Sequence, residues 1–256
     1  MGKRIDLNCD MGESYGIYHI GADEHLMPWI TSANIACGYH AGDPLVMDRT
    51  VRLASQFDVE IGAHPGFPDL MGFGRRSMQL GPEEIESDVL YQVGALAAFA
   101  RSVGAELAHV KPHGALYNMA ARDSAMARAI ARGVARAGSN LILVGLAGSA
   151  LIEAAREAGL RVASEGFADR AYNVDGTLRS RELPGAVIEN PKEAAERAVR
   201  IARDSAVTAY TGEKIPLHVD TICVHGDNLA AVEIVKTIRQ NLVEAGIAVA
   251  PMGSFV

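Results

Sequence analysis

Short β-rich runs alternate with longer helix-patterned stretches along almost the whole chain, and this alternation restricts the fold more than any other feature. Arg4–Cys9, Ala33–Cys37, Glu60–His64, Leu107–Lys111, Leu141–Gly145, Arg161–Glu165 and Thr221–His225 have the length and the branched, apolar composition of strands. The stretches between most of them carry helical periodicity, and a strand–helix–strand repeat builds a parallel sheet covered by helices. No linker, tandem repeat or low-complexity tract divides the 256 residues, so an α/β protein with one domain over 1–256 is expected.

Three helices are marked by their ends as well as their faces. Pro82 follows Gly81 and precedes Glu83 and Glu84, which suit the positive end of a helix dipole. Ile85, Val89, Val93, Leu96 and Ala100 then recur on one face. Asn190-Pro191-Lys192-Glu193 opens a second helix, reaching about residue 206. A third opens at Asn228 and sets Val232, Val235, Ile238 and Leu242 on one side. Residues 168–188 interrupt the pattern. Asp175-Gly176 between β-formers predicts a small hairpin or lid inserted after the sixth strand.

Composition narrows the function class. Hydrophobic residues make up 49% of the chain but aromatics only 5%, which suits an aliphatic core of helices on a parallel sheet. The formal charge is 24 − 31 = −7, and no Lys/Arg run exceeds two residues. Nucleic-acid and anionic-membrane partners are therefore not expected. Cys9, Cys37 and Cys223 are few, odd in number and far apart, which points to a reducing compartment. The opening MGKRIDLNCDMGES has no apolar stretch of the kind a signal peptide needs, and the apolar run from Leu141 to Ala155 is too short to span a bilayer. A cytoplasmic protein is the expectation.

Polar residues gather just after the predicted strands. The first strand leads into Asp6, Asn8, Asp10 and Glu13. The second leads into Asn34, His40 and Asp43, and the third into His64, Asp69, Arg75 and Arg76. Lys111 and His113 end the fourth. Glu165, Asp169 and Arg170 follow the sixth, and His225 and Asp227 the seventh. In a parallel α/β barrel these ends share one rim, where active sites lie.

Plainer readings exist for several of them. Asp6 can cap a turn or pair with an arginine. Arg75-Arg76 suits a solvated pair as well as an anion clamp, and the cysteines suit small buried residues. His19, His25, His109 and His218 read as structural. Lys111, after four mostly apolar strand residues, needs a carboxylate partner or a chemical role.

Asp10, Glu13, His40, His64, Lys111 and His113 are the catalytic candidates. Asp6, Asn8, Asn34, Asp43, Arg75, Glu165, Arg170, His225 and Asp227 are candidates for substrate binding. Two schemes fit these groups. Asp10, His40 and His64 can hold a divalent metal that activates water. Without metal, a carboxylate can act as general base while Lys111 and backbone N–H groups stabilise an oxyanion. Both describe hydrolysis of an amide-like bond. Gly145-Leu146-Ala147-Gly148-Ser149 lacks the lysine of a phosphate-binding loop, so no evident ATP site of that type is present.

Six blocks, DLNCDMGES, SANIACGYHAGD, GAHPGFPD with GFGRR, VKPHGALY, EGFADRAY and CVHGD, together resemble the LamB/YcsF family, in family order from Asp6 to Asp227. The resemblance implies an irregular seven-stranded β/α barrel similar to the glycoside hydrolase/deacetylase superfamily. It also implies ATP-dependent opening of the lactam of 5-oxo-L-proline to L-glutamate, together with partner subunits B and C. ATP would then be a co-substrate of the complex, with Mg or a site metal as the possible divalent ion. The competing readings are a metal-dependent deacetylase and a subunit that binds substrate without catalysis.

Overall fold

Along β1 (Arg4–Met11) successive side chains face opposite ways, and both sets are buried: Leu7, Cys9 and Met11 on one side, Asp6 and Asn8 on the other, each 0% exposed. A strand can bury two such unlike faces when one packs on apolar helices and the other lines a hydrogen-bonded interior.

The computed structural model, which describes residues 2–181, 183–224 and 229–256, has that arrangement. From β1 the ring runs through β2 (Ser32–Ala36), β3 (Glu60–His64), β4 (Leu107–Val110), β5 (Ile142–Leu146) and β6 (Arg161–Phe167). Next in the chain, β7 (Ala206–Thr208) and β8 (Lys214–Pro216) form a separate antiparallel pair. The strand β9 (Thr221–Cys223) then pairs in parallel with both β6 and β1, closing a barrel of seven parallel strands. A short β10 (Ala248–Val249) adds to β1 at the opposite end from the rim.

Among the described residues eight helices accompany the strands: α1 (Asp23–Leu26), α2 (Pro44–Gln56), α3 (Pro82–Ser102), α4 (Gly114–Ala120), α5 (Ser124–Ala137), α6 (Ala150–Glu157), α7 (Pro191–Asp204) and α8 (Leu229–Glu244). Their buried faces, with Val51, Val89, Leu96, Ile130, Leu151, Ile201 and Ile238, join Leu7, Met11 and Ile35 of the strands in one large apolar layer. Each such buried aliphatic side chain contributes about 1.5–3 kcal/mol, so the layer outside the ring carries most of the hydrophobic stabilisation.

The lumen is different. Its lower end is stoppered by a second apolar cluster, Ile142, Val144, Ala163 and Met252, the last from the C-terminal segment. Glu60 accepts from the Gly253 N–H (3.0 Å), and Arg161 donates to the Val256 and Gly253 carbonyls, fixing that segment across the bottom. Above the stopper the lumen is polar, built from Asp6, Ser32, Asn8, Asn34, His109, Glu165 and Thr221.

The expected strands and helices are present: β3 has its expected bounds, β2 and β5 are displaced by one residue, β1 and β6 run two residues further, and β4 ends one residue early. The expected end of the last barrel strand at His225 lies outside the described residues. Asn190 caps α7 by accepting from the Lys192 and Glu193 N–H groups. The expected opening of the last helix at Asn228 lies outside the described residues. In the 168–188 insertion Tyr172 bridges Leu178 and Arg170 bridges Val187, with Gly176 at φ +81° in the tight turn. The β7–β8 pair was not anticipated, because two three-residue strands are too short to show a period.

Candidate active site at the carboxyl rim of the barrel

The chemistry begins with parity. Asp6, Asn8 and Asp10 all point inward from β1, so they stand at three depths rather than side by side. Asp6 is lowest. The hydroxyls of Thr31 (2.7 Å), Ser32 (2.6 Å) and Thr221 all donate to it. Burial outweighs those donors and raises its pKa to about 6. This lower position separates Asp6 from the rim and replaces the expected substrate contact with a structural one.

One layer up, amides carry the network. Asn8 donates to Glu165 (3.0 Å) and to the Thr221 hydroxyl (2.6 Å), while its oxygen accepts from Asn34 (2.7 Å). Asn34 also donates to Asp10 (2.8 Å), and its own oxygen is 2.7 Å from His109 Nε2. That contact makes Nε2 the protonated nitrogen of a neutral His109, whose pKa burial lowers to about 3. His109 is thus structural, as expected.

Lys111, 3% exposed, anchors the top layer. Its ammonium lies 2.9 Å from Glu165, 3.0 Å from Asp10, 3.2 Å from the Asn8 oxygen and 3.1 Å from Cys223 Sγ. Burial works against its charge, but Asp10 and Glu165 hold it well above the ordinary lysine range. The Tyr117 hydroxyl donates to the other Glu165 oxygen (2.6 Å). Cys223 is pushed well above the ordinary thiol range by burial, so a neutral thiol rather than a nucleophile sits beside Lys111.

Next to this network three imidazoles and a carboxylate come together. His64 Nδ1 is 2.6 Å from the Lys111 carbonyl, and His113 Nε2 is 2.9 Å from the Phe73 carbonyl. A carbonyl only accepts, so both of those nitrogens are protonated, and the lone pairs of neutral rings fall on His64 Nε2 and His113 Nδ1. Those two atoms are 3.0 Å apart. The His40 ring stacks on His113 with centroids 3.8 Å apart, and neither of its nitrogens makes a hydrogen bond. Glu13 Oε1 is 3.6 Å from His40 Nε2 and 3.7 Å from His113 Nδ1.

Burial, followed by neighbouring histidines, holds His40 and His113 well below the ordinary imidazole range. The four ligand atoms of Glu13, His40, His64 and His113 lie within 4.8 Å of one another, which makes them a possible metal-binding group. The expected metal set had Asp10 where the structure has Glu13 and His113. One Asp10 oxygen is committed to Lys111 and Asn34, and the other lies 3.3 Å from His64 Nε2.

Several supports were not foreseen. Asp23 accepts from the Gly12 N–H (2.8 Å) and so fixes the turn that presents Glu13. Gln92, buried on α3, accepts from the Gly66 N–H (2.9 Å) and donates to its carbonyl (3.0 Å), holding the turn after His64. The sequence signal for Gln92 is its place on the apolar stripe between Val89 and Leu96. Gly74, at φ +63°, lets the loop pass His40 and His113; a Cβ there would sit 2.7 Å from His40 Cβ.

Other expected residues are placed elsewhere. Asp43 caps α2, accepting from Leu45 and Val46, and also accepts from Gly16 (2.8 Å). Arg170 donates to the Ala186 and Arg179 carbonyls inside the insertion. Asp69 pairs with Arg76, whereas Arg75 is exposed at the rim with its guanidinium 5.0 Å from the Phe73 ring centre. His225 and Asp227 lie outside the described residues. A cavity of about 480 Å³ lined by His19, Asp23, His25, Arg49 and Arg52 adjoins α2 and includes none of His40, His64 and His113.

A closed parallel barrel with an ammonium, carboxylates and imidazoles at the carboxyl ends of its strands defines an enzyme of the β/α-barrel class. The LamB/YcsF family profile matches residues 5–256, and the chain belongs to that family. It is 58% identical to the A component of 5-oxoprolinase from Pyrococcus furiosus over 99% of both chains, and 55% identical to that of Symbiobacterium thermophilum over 98% and 97%. The lactam utilization protein of Thermus thermophilus superposes with a TM-score of 0.92 at 48% identity, covering 96% of this chain and 99% of that one.

Proposed function

We propose that this chain is the barrel component of a complex that opens the lactam of 5-oxo-L-proline to L-glutamate, coupled to ATP hydrolysis. The observation that carries the reading is the Asp10–Lys111–Glu165 network at the barrel rim, in a chain more than half identical to proteins named for that activity. A lactam is a resonance-stabilised amide and a poor electrophile. Transfer of the ATP γ-phosphate to the lactam oxygen, with loss of ADP, makes the ring carbon electrophilic. Water then adds there, the C–N bond breaks with the amine taking a proton, and a second water releases phosphate from the acyl phosphate.

In this scheme partner subunits B and C carry out the ATP step, since the chain has no phosphate-binding loop with lysine, and any Mg travels with their nucleotide. Asp10 serves as base toward the attacking water, and the Lys111 ammonium stabilises the charge that develops on oxygen. Arg75, exposed at the rim, suits the substrate carboxylate. Among the described residues no helix is long and apolar enough to cross a membrane. The three cysteines are free and buried, which agrees with a reducing, cytoplasmic site of action.

Glutamate release from 5-oxo-L-proline and ATP tests the reading, with this chain alone and mixed with its B and C partners. Product is expected only in the mixture, and Asp10→Asn should reduce it at least 100-fold. The assignment fails if the mixture yields none while the same partners are active with a homologue of this chain.

A further inference from the structure

The lone-pair nitrogens of His64 and His113 face each other at 3.0 Å because each ring gives its N–H to a backbone carbonyl. Two neutral imidazoles cannot rest in that position with nothing between them, because lone pair opposes lone pair. Something positive has to sit there.

A proton on that pair would serve these two rings and Asp10, 3.3 Å from His64 Nε2. It would leave both nitrogens of His40, 0% exposed, without a hydrogen bond, Nε2 having only Glu13 at 3.6 Å, although a buried polar atom without such a bond costs about 1–3 kcal/mol. Glu13, with its side chain 13% exposed, faces the same point, and the His64 ring stands nearly perpendicular to those of His113 and His40, as rings sharing one ion can. His40 lies stacked on His113 with centroids 3.8 Å apart and has to turn out of that stack to aim a nitrogen at an ion held by His113.

We propose that Glu13, His40, His64 and His113 bind one divalent transition-metal ion of the zinc class. Donors about 2.0–2.1 Å from a tetrahedral ion stand roughly 3.3 Å apart. Three of the six donor spacings, 3.0 Å between His64 and His113, 3.6 Å from Glu13 to His40 and 3.7 Å from Glu13 to His113, bracket that value, and all four donors lie within 4.8 Å of one another. Nitrogen-rich donor sets select zinc, cobalt, nickel or iron over magnesium and calcium, which prefer oxygen. The hydrogen bonds to the Lys111 and Phe73 carbonyls supply the outer contacts that orient metal-bound imidazoles.

Charge agrees with geometry. Among the described residues, the buried carboxylates beside the imidazoles, Asp10, Glu13 and Glu165, outnumber the one buried ammonium, Lys111. A dication offsets that excess of negative charge. The inference does not depend on which carbonyl compound the rim accepts.

The test uses the isolated chain, stripped by chelator and titrated with Co²⁺, whose visible absorption reports nitrogen coordination. One equivalent is expected to bind, Zn²⁺ should displace it, and the melting temperature should rise with either ion. Glu13→Gln keeps size and packing and should weaken binding ~10–100-fold. His64→Gln with His113→Asn should abolish the band. If that double variant does not fold, Glu13→Gln decides.

The proposal is overturned if the folded wild-type chain shows no cobalt band with metal in excess. A strongly downfield imidazole N–H resonance in that metal-free protein would identify the shared proton instead. It is overturned equally if Glu13→Gln and the folded double variant bind cobalt as wild type does. Glutamate formation is measured separately, so failure of the metal and failure of the functional reading are distinguishable.

Discussion

The imidazole of His109 occupies the space where Gly62 would carry a side chain: a Cβ on Gly62 would lie 2.0 Å from His109 Nε2. These two residues sit beside each other on β3 and β4, and the ring also reaches Asn34. Gly62→Ala should therefore expel the ring, break the contact to Asn34 and lower stability by about 1–3 kcal/mol, the usual range for overpacking. Urea denaturation checks this. Adding His109→Ala should recover part of the loss, since the double variant removes the clash.

Lys111→Met tests the buried charge network. It leaves Asp10 and Glu165 close together without their ammonium, and loss of one partner from a buried ion pair costs about 3–5 kcal/mol. The variant should melt at a clearly lower temperature and should lose glutamate formation in the reconstituted complex. Wild-type stability would show that the network is not charged as described.

Asp6 predicts a pH effect of definite sign. Its folded pKa, about 6, lies above the unfolded value of 3.8, so the folded chain holds the proton more tightly. The associated stability is fully present below pH 3.8 and is lost as pH rises through about 6. At about 1.36 kcal/mol per pKa unit the change is of order 2–3 kcal/mol. Asp6→Asn should flatten that part of the pH–stability curve measured by denaturant unfolding from pH 4 to 8. An unchanged slope would remove Asp6 as its source.

Gln92→Leu should act on the site from a distance. The Gly66 N–H and carbonyl both lose their side-chain partner, at a cost of about 1–3 kcal/mol. The turn after His64 should loosen, lowering kcat in the complex more than it raises KM. Hydrogen exchange at the Gly66 amide is the direct readout.

The barrel strands were legible in the sequence because their length and branched, apolar composition are local features. Depth was not. At about 3.3 Å per residue, Asp6 lies ~13 Å from Asp10 along the strand, although the two read as one polar series. The imidazole cluster was legible as a set of rim residues but not as a set of partners. His64 ends β3, while Glu13 and His113 follow β1 and β4, and only the register of the closed ring brings them within reach. Asp43 and Arg170 look like His40 and Lys111 in sequence, each being polar beside a strand end. Local capping and backbone contacts claim the first two, while the lumen claims the others.

The ring closes late. Thr221 of β9 is the partner of Asp6 across 215 residues and of Asn8 across 213, and Cys223 meets Lys111 across 112. During synthesis, Asp10, His64, Lys111 and Glu165 all leave the ribosome well before the strand that encloses them. Until β9 is inserted, the polar wall of the lumen is an open edge exposed to water and to other chains. Folding speed, and dependence on chaperones, should therefore be governed by the final docking of residues 206–223 rather than by the segments that carry the chemistry.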